Sequence, residues 1–183
     1  MPRLALLSLL ILVLLLPALR VCAPSREALE DRLLLAELNR EEGLAYRDAN
    51  RRHPQVLTTA SGLQVEVLSA GDGPIPGPDD WVQLHYRAAH LDGREYANTW
   101  PGAAPVTVAV ARTIPGWREA LTGLPVGSRA QLVVPPELAY GPAGGGAIGP
   151  AETLLFELEL LAIDAPPVAP PPDPLQQAVP GLR

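Results

Sequence analysis

The sequence contains no lysine, since all 14 basic residues among its 183 are arginine. Schiff-base chemistry and a phosphate-binding P-loop both need a lysine, so both are excluded. The single cysteine, Cys22, rules out an internal disulfide. The three histidines (His53, His85 and His90) and this cysteine do not have the spacing of a metal site. The sequence therefore predicts neither a bound metal nor a cofactor.

The charge balance is acidic, with a formal net charge of −6 and an isoelectric point near 5.0. No stretch of the chain concentrates its arginines into a basic patch. Proteins that bind nucleic acid normally present such a patch to the phosphates. We therefore expect no nucleic-acid partner.

Residues 1–23 have the character of an export signal, with Arg3 ahead of the apolar run LALLSLLILVLLLPAL at 4–19. This run is shorter than the roughly 20 apolar residues of a spanning helix, which favours a cleaved signal peptide. The alternatives are an uncleaved anchor, whose span Arg3 and Arg20 extend, and a lipid-modified Cys22. All three predict an exported protein of the bacterial periplasm or cell envelope. Membrane contact is then expected only through residues 1–23, if they are retained.

Residues 24–54 are predicted to form a helical lead-in. Ser25 can cap a helix, and Pro54 disfavours helical backbone at the residue before it. A partial apolar stripe follows one side of the predicted helix, at Leu35, Leu38, Tyr46 and Ala49. A helix this polar fits a solvated spacer or a partner-binding face. Dimerisation is the third alternative, although no heptad is sustained.

Residues 55–163 change to period two, in which valine and leucine alternate with polar residues. Asp92-Gly93 predicts a hairpin turn between two such strands. One short helix is predicted after Pro115, which suits a first helical position. We therefore predict an α+β domain, an antiparallel sheet covered by one short helix. Residues 164–183 are rich in proline and are predicted to form a disordered tail.

Aromatic residues are scarce, with three Trp, four Tyr and one Phe in the whole chain. Five of the eight lie in or beside the predicted strands, turns or short helix: Tyr86, Tyr96, Trp117, Tyr140 and Phe156. Such a distribution suits one apolar cleft with a tryptophan floor. The alternative is that Trp117 only fills the core, as most large aromatic side chains do.

Four motifs occur in one order: LHYRAAHLDGREY (84–96), TIPGWREAL (113–121), LPVGSRAQLVVPPELAYG (124–141) and ETLLFELELL (152–161). Together they resemble the FKBP-type peptidyl-prolyl cis-trans isomerases. NREEGLAYRDAN (39–50) and TTASGLQVEVL (58–68) resemble the lead-in of the bacterial exported, macrophage infectivity potentiator-like members. The resemblance implies a curved antiparallel sheet wrapped around one short helix, with the pocket between them.

By this resemblance, Tyr86, Phe156 and Tyr96 line the walls of the pocket, and Trp117 forms its floor. Tyr96 stands where the family usually has phenylalanine. The Ile114 N–H, beside Thr113, and the Tyr140 hydroxyl would bind substrate, and Ile148 would come from a loop above the cleft. Two residues depart from the family pattern. Val106 replaces a usual aromatic residue, and Ala97 stands where the family has an aspartate.

The resemblance implies an isomerase that assists the folding of exported proteins by binding their X–Pro segments, with a macrolide as a candidate ligand. Rotation about the X–Pro bond makes no covalent bond, so the reaction needs no nucleophile. The alternative is a non-catalytic or weakly catalytic, chaperone-like module, which Ala97 and Val106 favour. A hydrolase or metal enzyme is disfavoured because the sequence offers no nucleophile–base or ligand set.

Overall fold

The computed structural model describes residues 25–100, 102 and 104–165. A long helix, α1 (Arg26–Asn50), precedes the strands β1 (Val56–Thr58), β2 (Gln64–Ser69), β3 (Trp81–Ala89), β4 (Glu95–Asn98) and β5 (Val106–Ala109). A 3₁₀ turn (Val110–Arg112) leads into the short helix α2 (Pro115–Leu121). Strands β6 (Arg129–Val134) and β7 (Leu154–Asp164) complete the sheet, with two 3₁₀ turns between them.

The seven strands form one antiparallel sheet in the order β1-β2-β6-β7-β3-β4, and β5 also pairs with β3. Strand β3 is central to the cleft side of the sheet, because β7 lies along one edge while β4 and β5 share the other. The α+β class and the antiparallel sheet with one short covering helix are as predicted from the sequence. The hairpin after β3 turns at Gly93, whose φ of 85° is in the left-handed region that glycine tolerates.

Helix α2 packs on one face of the sheet, and the core lies between them. Pro115 occupies its first turn, and Ile114 before it is extended, so the helix begins where proline permits. A Cβ at Gly116 would lie 2.6 Å from Val134 Cγ1, so glycine allows α2 to approach β6 closely. The buried core includes Leu84, Leu121, Leu132, Leu154 and Leu158.

Helix α1 contacts the domain through polar residues rather than through the predicted apolar stripe. Asn39 Nδ2 donates to the Pro150 carbonyl at 2.8 Å. Nearer the end of α1, Gln64 Nε2 donates to the Arg47 carbonyl and Asn50 Nδ2 donates to Gln64 Oε1, both at 2.8 Å. Gly43 is the one buried residue of the helix. Because of these contacts, α1 is a docked element and not a solvated spacer.

The predicted stripe is not buried by this docking, since Leu35, Leu38 and Tyr46 are exposed by 46%, 54% and 36%. Within the described residues, no helix combines the length and hydropathy of a membrane span. The predicted signal or anchor at 1–23 lies outside the described residues, and so does the predicted tail beyond residue 165.

Candidate functional site

An open cleft of about 650 Å³ lies between α2 and the inner face of the sheet. Strands β3, β4, β5 and β7 contribute to its walls, and the chain leading into α2 forms one rim. Nine of the ten residues predicted for the site line it: Tyr86, Tyr96, Ala97, Val106, Thr113, Ile114, Trp117, Tyr140 and Phe156. The fold thus brings together residues that are up to 70 positions apart in the sequence.

Trp117 is at the base of the cleft and is only 8% exposed. The Tyr86 ring meets it edge-on, with centroids 5.1 Å apart and planes at 75°. Phe156 meets it at 5.4 Å and 83°, and Tyr96 meets Phe156 at 6.5 Å and 84°. Edge-to-face aromatic contacts of this kind are attractive beyond their buried area. Four rings joined by three successive edge-to-face contacts therefore make a packed, apolar base.

A β-bulge places two consecutive residues, Tyr96 and Ala97, in the cleft. In the β3–β4 register Ala97 pairs with Ala88, whereas Glu95 pairs with Ala89, so Tyr96 is the extra residue. Regular alternation would have put one of the two on the opposite face. Asn98 projects elsewhere, since its side chain bonds to Glu95 and to the N–H of Trp100.

The hydroxyl of Tyr96 is buried and has no hydrogen-bond partner among the described residues. Its ring also packs on His90, at a centroid distance of 5.1 Å. Burial raises the pKa of Tyr96 well above its usual value, with smaller contributions from Tyr140, Glu152 and Tyr86. The hydroxyl therefore stays protonated. Trp117 Nε1 is a second buried donor without a partner in the described residues.

The rim carries groups that can hold an extended peptide. The Ile114 N–H makes no backbone hydrogen bond with another described residue. Thr113 beside it is turned inward, because its hydroxyl donates to the Val110 carbonyl at 2.8 Å. Tyr140 is 45% exposed and lines the cleft. One backbone donor and one phenol can thus contact a ligand from two sides.

Ile148 is the one predicted site residue that does not line the cleft. It is 8% exposed and belongs to the core cluster. Its N–H donates to the Gly145 carbonyl and its own carbonyl accepts from the Gly145 N–H, each at 3.0 Å. The loop that carries it, residues 141–150, is tied to α1 through Asn39 and Arg32. These contacts hold the Ile148 side chain inside the domain.

The cleft has little charge, because the residues at positions 97 and 106 are apolar. Ala97 and Val106 both line it, and no carboxylate is among its lining residues in the described part of the chain. Of the described residues that line it, Arg112 alone is charged, and it is exposed at the rim. The interior is therefore apolar, with donors and a single cation near its edge.

Sequence reasoning missed five lining residues: Trp81, Ala88, Val108, Ala109 and Arg112. Ala88 and Val108 follow from alternation, since Ala88 is two residues from Tyr86 and Val108 two from Val106. Trp81 is on the opposite parity of β3 from Tyr86, and a register shift between Gln83 and Leu84 intervenes. Arg112 is in the 3₁₀ turn, which has no periodic signal in the sequence.

The outer face of the sheet holds a polar cavity of about 250 Å³. Its central carboxylate, Glu157, pairs with Arg87 at 2.8 Å and with Arg129 Nε at 2.6 Å. These ion pairs satisfy the acid, so the cavity is structural. No group of three or more His, Cys, Asp or Glu suited to a metal ion occurs in residues 25–100, 102 and 104–165.

Fold and cleft together define an α+β domain with an open, largely apolar cleft lined by packed aromatic rings. The sequence model of the FKBP-type peptidyl-prolyl cis-trans isomerases matches residues 73–161. In structure, the chain is similar to FkpA from Escherichia coli, with a TM-score of 0.68, 33% identity and coverage of 76% of this chain and 73% of that one. The chain therefore belongs to the FKBP-type peptidyl-prolyl cis-trans isomerase family.

Two curated relatives are similar to this chain in sequence. The outer membrane protein MIP of Legionella longbeachae is 41% identical over 129 residues, which are 70% of this chain and 55% of that protein. The FKBP-type 22 kDa peptidyl-prolyl cis-trans isomerase of E. coli K12 is 45% identical over 123 residues, which are 67% of this chain and 60% of that protein. The chain thus spans little more than half the length of these relatives.

Proposed function

We propose that this protein catalyses cis–trans isomerisation of X–Pro bonds in polypeptides. The observation that carries the proposal is the base of the cleft, where Tyr86 and Phe156 pack on Trp117 and Tyr96 packs on Phe156 in an apolar interior. A proline ring is compact and apolar, so it fits such a base. Family membership supports the same reaction.

The chemistry follows from the polarity of the cleft. A planar amide owes its rotation barrier of about 18–20 kcal/mol to resonance, which separates charge between oxygen and nitrogen. The twisted amide loses that charge separation, so an apolar environment favours it relative to the planar ground state. Each tenfold gain in rate requires only about 1.4 kcal/mol of such preference. A site without a nucleophile, metal or cofactor is sufficient for this reaction.

The proposed roles divide between base and rim. Tyr86, Tyr96, Trp117 and Phe156 would enclose the proline and the twisting bond. The Ile114 N–H and the Tyr140 hydroxyl would bind the flanking chain and keep it from turning with the bond. Thr113, Val106 and Ala97 would contact the residues on either side. Ile148 would have an indirect role, because its buried side chain supports the loop that follows Tyr140.

A second candidate function is a chaperone-like module that binds X–Pro segments without turning them over efficiently. The small side chains of Ala97 and Val106 favour it, because both line the cleft and neither supplies a ring or a charge. Binding then persists while the preference for the twisted amide falls. Kinetics separate the two functions, since only the isomerase accelerates the interconversion.

We further propose that the domain, residues 55–163, works outside the cytoplasmic membrane on exported proteins, after export through residues 1–23. The name of the Legionella relative, an outer membrane protein, supports this location. A macrolide of the kind bound by the family is the proposed small-molecule ligand, because the cleft offers an apolar volume of drug-like size.

The test is a proline-peptide isomerisation assay on wild type and on Trp117→Leu. We expect Trp117→Leu to lower kcat/KM at least tenfold, which corresponds to about 1.4 kcal/mol of transition-state stabilisation. Trp100→Leu is the matched control, since Trp100 packs on His85 and Arg129 outside the cleft. Equal affinity and rate in a folded Trp117→Leu protein would show that the cleft is not the site. Binding by wild type without acceleration would select the chaperone-like module.

A further inference from the structure

Strand β7 ends at the rim of the cleft. Its last residue, Asp164, pairs with Trp81, and Trp81 is itself a lining residue. The Asp164 carboxylate also accepts a hydrogen bond of 3.3 Å from Thr107, which lies between the lining residues Val106 and Val108. The chain that follows Asp164 therefore leaves the domain beside the mouth of the site.

This following segment is rich in the bond that the cleft is proposed to bind. Seven of the 19 residues at 165–183 are proline. Most of these prolines follow alanine, another proline or aspartate, and only Pro180 follows a branched apolar residue, Val179. An apolar cleft gains most from burying an apolar side chain next to the proline, at about 0.8 kcal/mol per buried methylene. Val179–Pro180 is therefore the best ligand within the segment.

The segment is long enough to bring this bond into the site. The cleft extends along β3 from Trp81 to Tyr86, five residues apart, and a strand rises about 3.3 Å per residue, which gives roughly 17 Å. Pro180 is 16 residues beyond Asp164, a contour of roughly 50 Å at the polyproline rise of about 3.1 Å. The excess length allows the chain to reverse direction and enter the cleft.

Charge also favours the entry of this segment into the cleft. Among the described residues that line the cleft, Arg112 alone is charged, and it is exposed at the rim. Asp173 is the one acidic residue between 165 and 183, and it precedes Pro180 by seven positions. An Asp173–Arg112 contact at the edge would leave enough chain for Val179–Pro180 to enter the interior. Such an exposed pair adds little affinity but favours one direction of entry.

We propose that the Val179–Pro180 segment occupies the cleft of its own chain and competes there with other polypeptides. This inference rests on the proposed function, since it uses the same cleft. A segment tethered to the domain that carries its site reaches an effective concentration of up to about a millimolar when the linker can span the distance. Even weak intrinsic affinity then keeps the cleft partly occupied. Added substrates bind fully only when they displace this segment.

The direct test is the NMR signal of the Trp117 indole N–H in the full-length protein in detergent, assigned with Trp117→Phe. Trp117 Nε1 has no partner among the described residues, so its resonance is sensitive to what enters the cleft. We expect Pro180→Ala to shift this signal. Pro170→Ala is the matched control, since it also removes a proline but one that follows alanine, and it leaves the signal in place.

In the peptide assay, Pro180→Ala should lower the apparent KM for an added Leu-Pro peptide about threefold and leave kcat unchanged, because saturating peptide displaces the segment anyway. A synthetic peptide of residues 173–183 should restore the wild-type signal of Trp117 in Pro180→Ala.

Identical Trp117 signals in wild type, Pro180→Ala and Pro170→Ala overturn the inference, whether or not the protein is an isomerase. A wild-type signal that changes on dilution also overturns it, because the segment would then come from a second copy. Absence of isomerase activity with the Trp117 shift retained would overturn the proposed function alone.

Discussion

Removing one oxygen from the wall of the cleft should stabilise this protein. The Tyr96 hydroxyl is buried without a partner among the described residues, while its ring packs on Phe156 and His90. Tyr96→Phe keeps the ring and deletes the hydroxyl. The family usually has phenylalanine here, so the substitution should not disturb the backbone or the cleft.

The magnitude follows from the cost of burying an unsatisfied polar group, about 1–3 kcal/mol. Tyr96 is only partly buried as a residue, so we take the lower part of this range. We expect Tyr96→Phe to raise the free energy of unfolding by about 1–2 kcal/mol. The corresponding rise in Tm is roughly 2–8 °C for a protein of this size.

The pH dependence gives an independent check with a defined sign. The pKa of Tyr96 is raised in the folded state, mainly by burial. Above the unfolded pKa of about 10, the unfolded chain releases this proton while the folded chain retains it. Wild-type stability is therefore lost as pH rises through that value, by about 1.4 kcal/mol per pH unit. Tyr96→Phe lacks this loss, so its advantage should widen above pH 10.

Urea unfolding of both proteins at pH 7 and pH 11 measures both effects. Tyr46→Phe is the matched control, because Tyr46 is 36% exposed on α1, and it should change stability by less than about 0.5 kcal/mol. If Tyr96→Phe is less stable than wild type, the hydroxyl has a partner and the reasoning fails. An advantage that is the same at both pH values would refute the raised pKa.

Two further predictions test the cleft and the docked helix. Ala97→Asp should raise kcat/KM about tenfold, which corresponds to about 1.4 kcal/mol of transition-state stabilisation. Ala97→Asn is the control, and a stable Ala97→Asp protein that is no faster than this control would show that the missing carboxylate is irrelevant. Gly43→Ala should destabilise the protein despite its better helix propensity, because the new Cβ would lie 2.2 Å from Thr153 Oγ1. Thr153→Ala should relieve that loss in the double variant, and additive losses in unfolding would contradict the clash.

The sheet and α2 could be predicted from the sequence because their signals are local. Alternation at Val82, Leu84 and Tyr86 marks β3, whose even-numbered residues Val82 and Leu84 are fully buried. Proline at 115 marks the start of α2. The scarcity of aromatic residues suggested one cleft for Tyr86, Trp117 and Phe156, but their individual places in it came from the resemblance, since no local pattern relates residues so distant in the chain.

The docking of α1 could not be predicted, because hydrophobic periodicity identifies only faces that bury apolar groups. This helix binds through the side chains of Asn39 and Asn50 and through the Arg47 carbonyl, whose partners are the Pro150 carbonyl and the Gln64 amide. Hydrogen bonds of this kind depend on where the loop and β2 place their donors and acceptors. For the same reason Gln64, on the polar side of its strand, is only 3% exposed.

The docked helix also explains how a glycine-rich loop can border a rigid cleft. Residues 141–150 begin directly after Tyr140, and Gly144 and Gly146 within them have positive φ. Glycines lose the most conformational entropy when fixed, so such a segment would be costly to order at each binding event. Contacts of Asn39 with the end of the loop and of Arg32 with its middle order it before a ligand arrives. We therefore expect these polar contacts of α1 to favour ligand binding without touching the ligand, by ordering the loop that directly follows Tyr140.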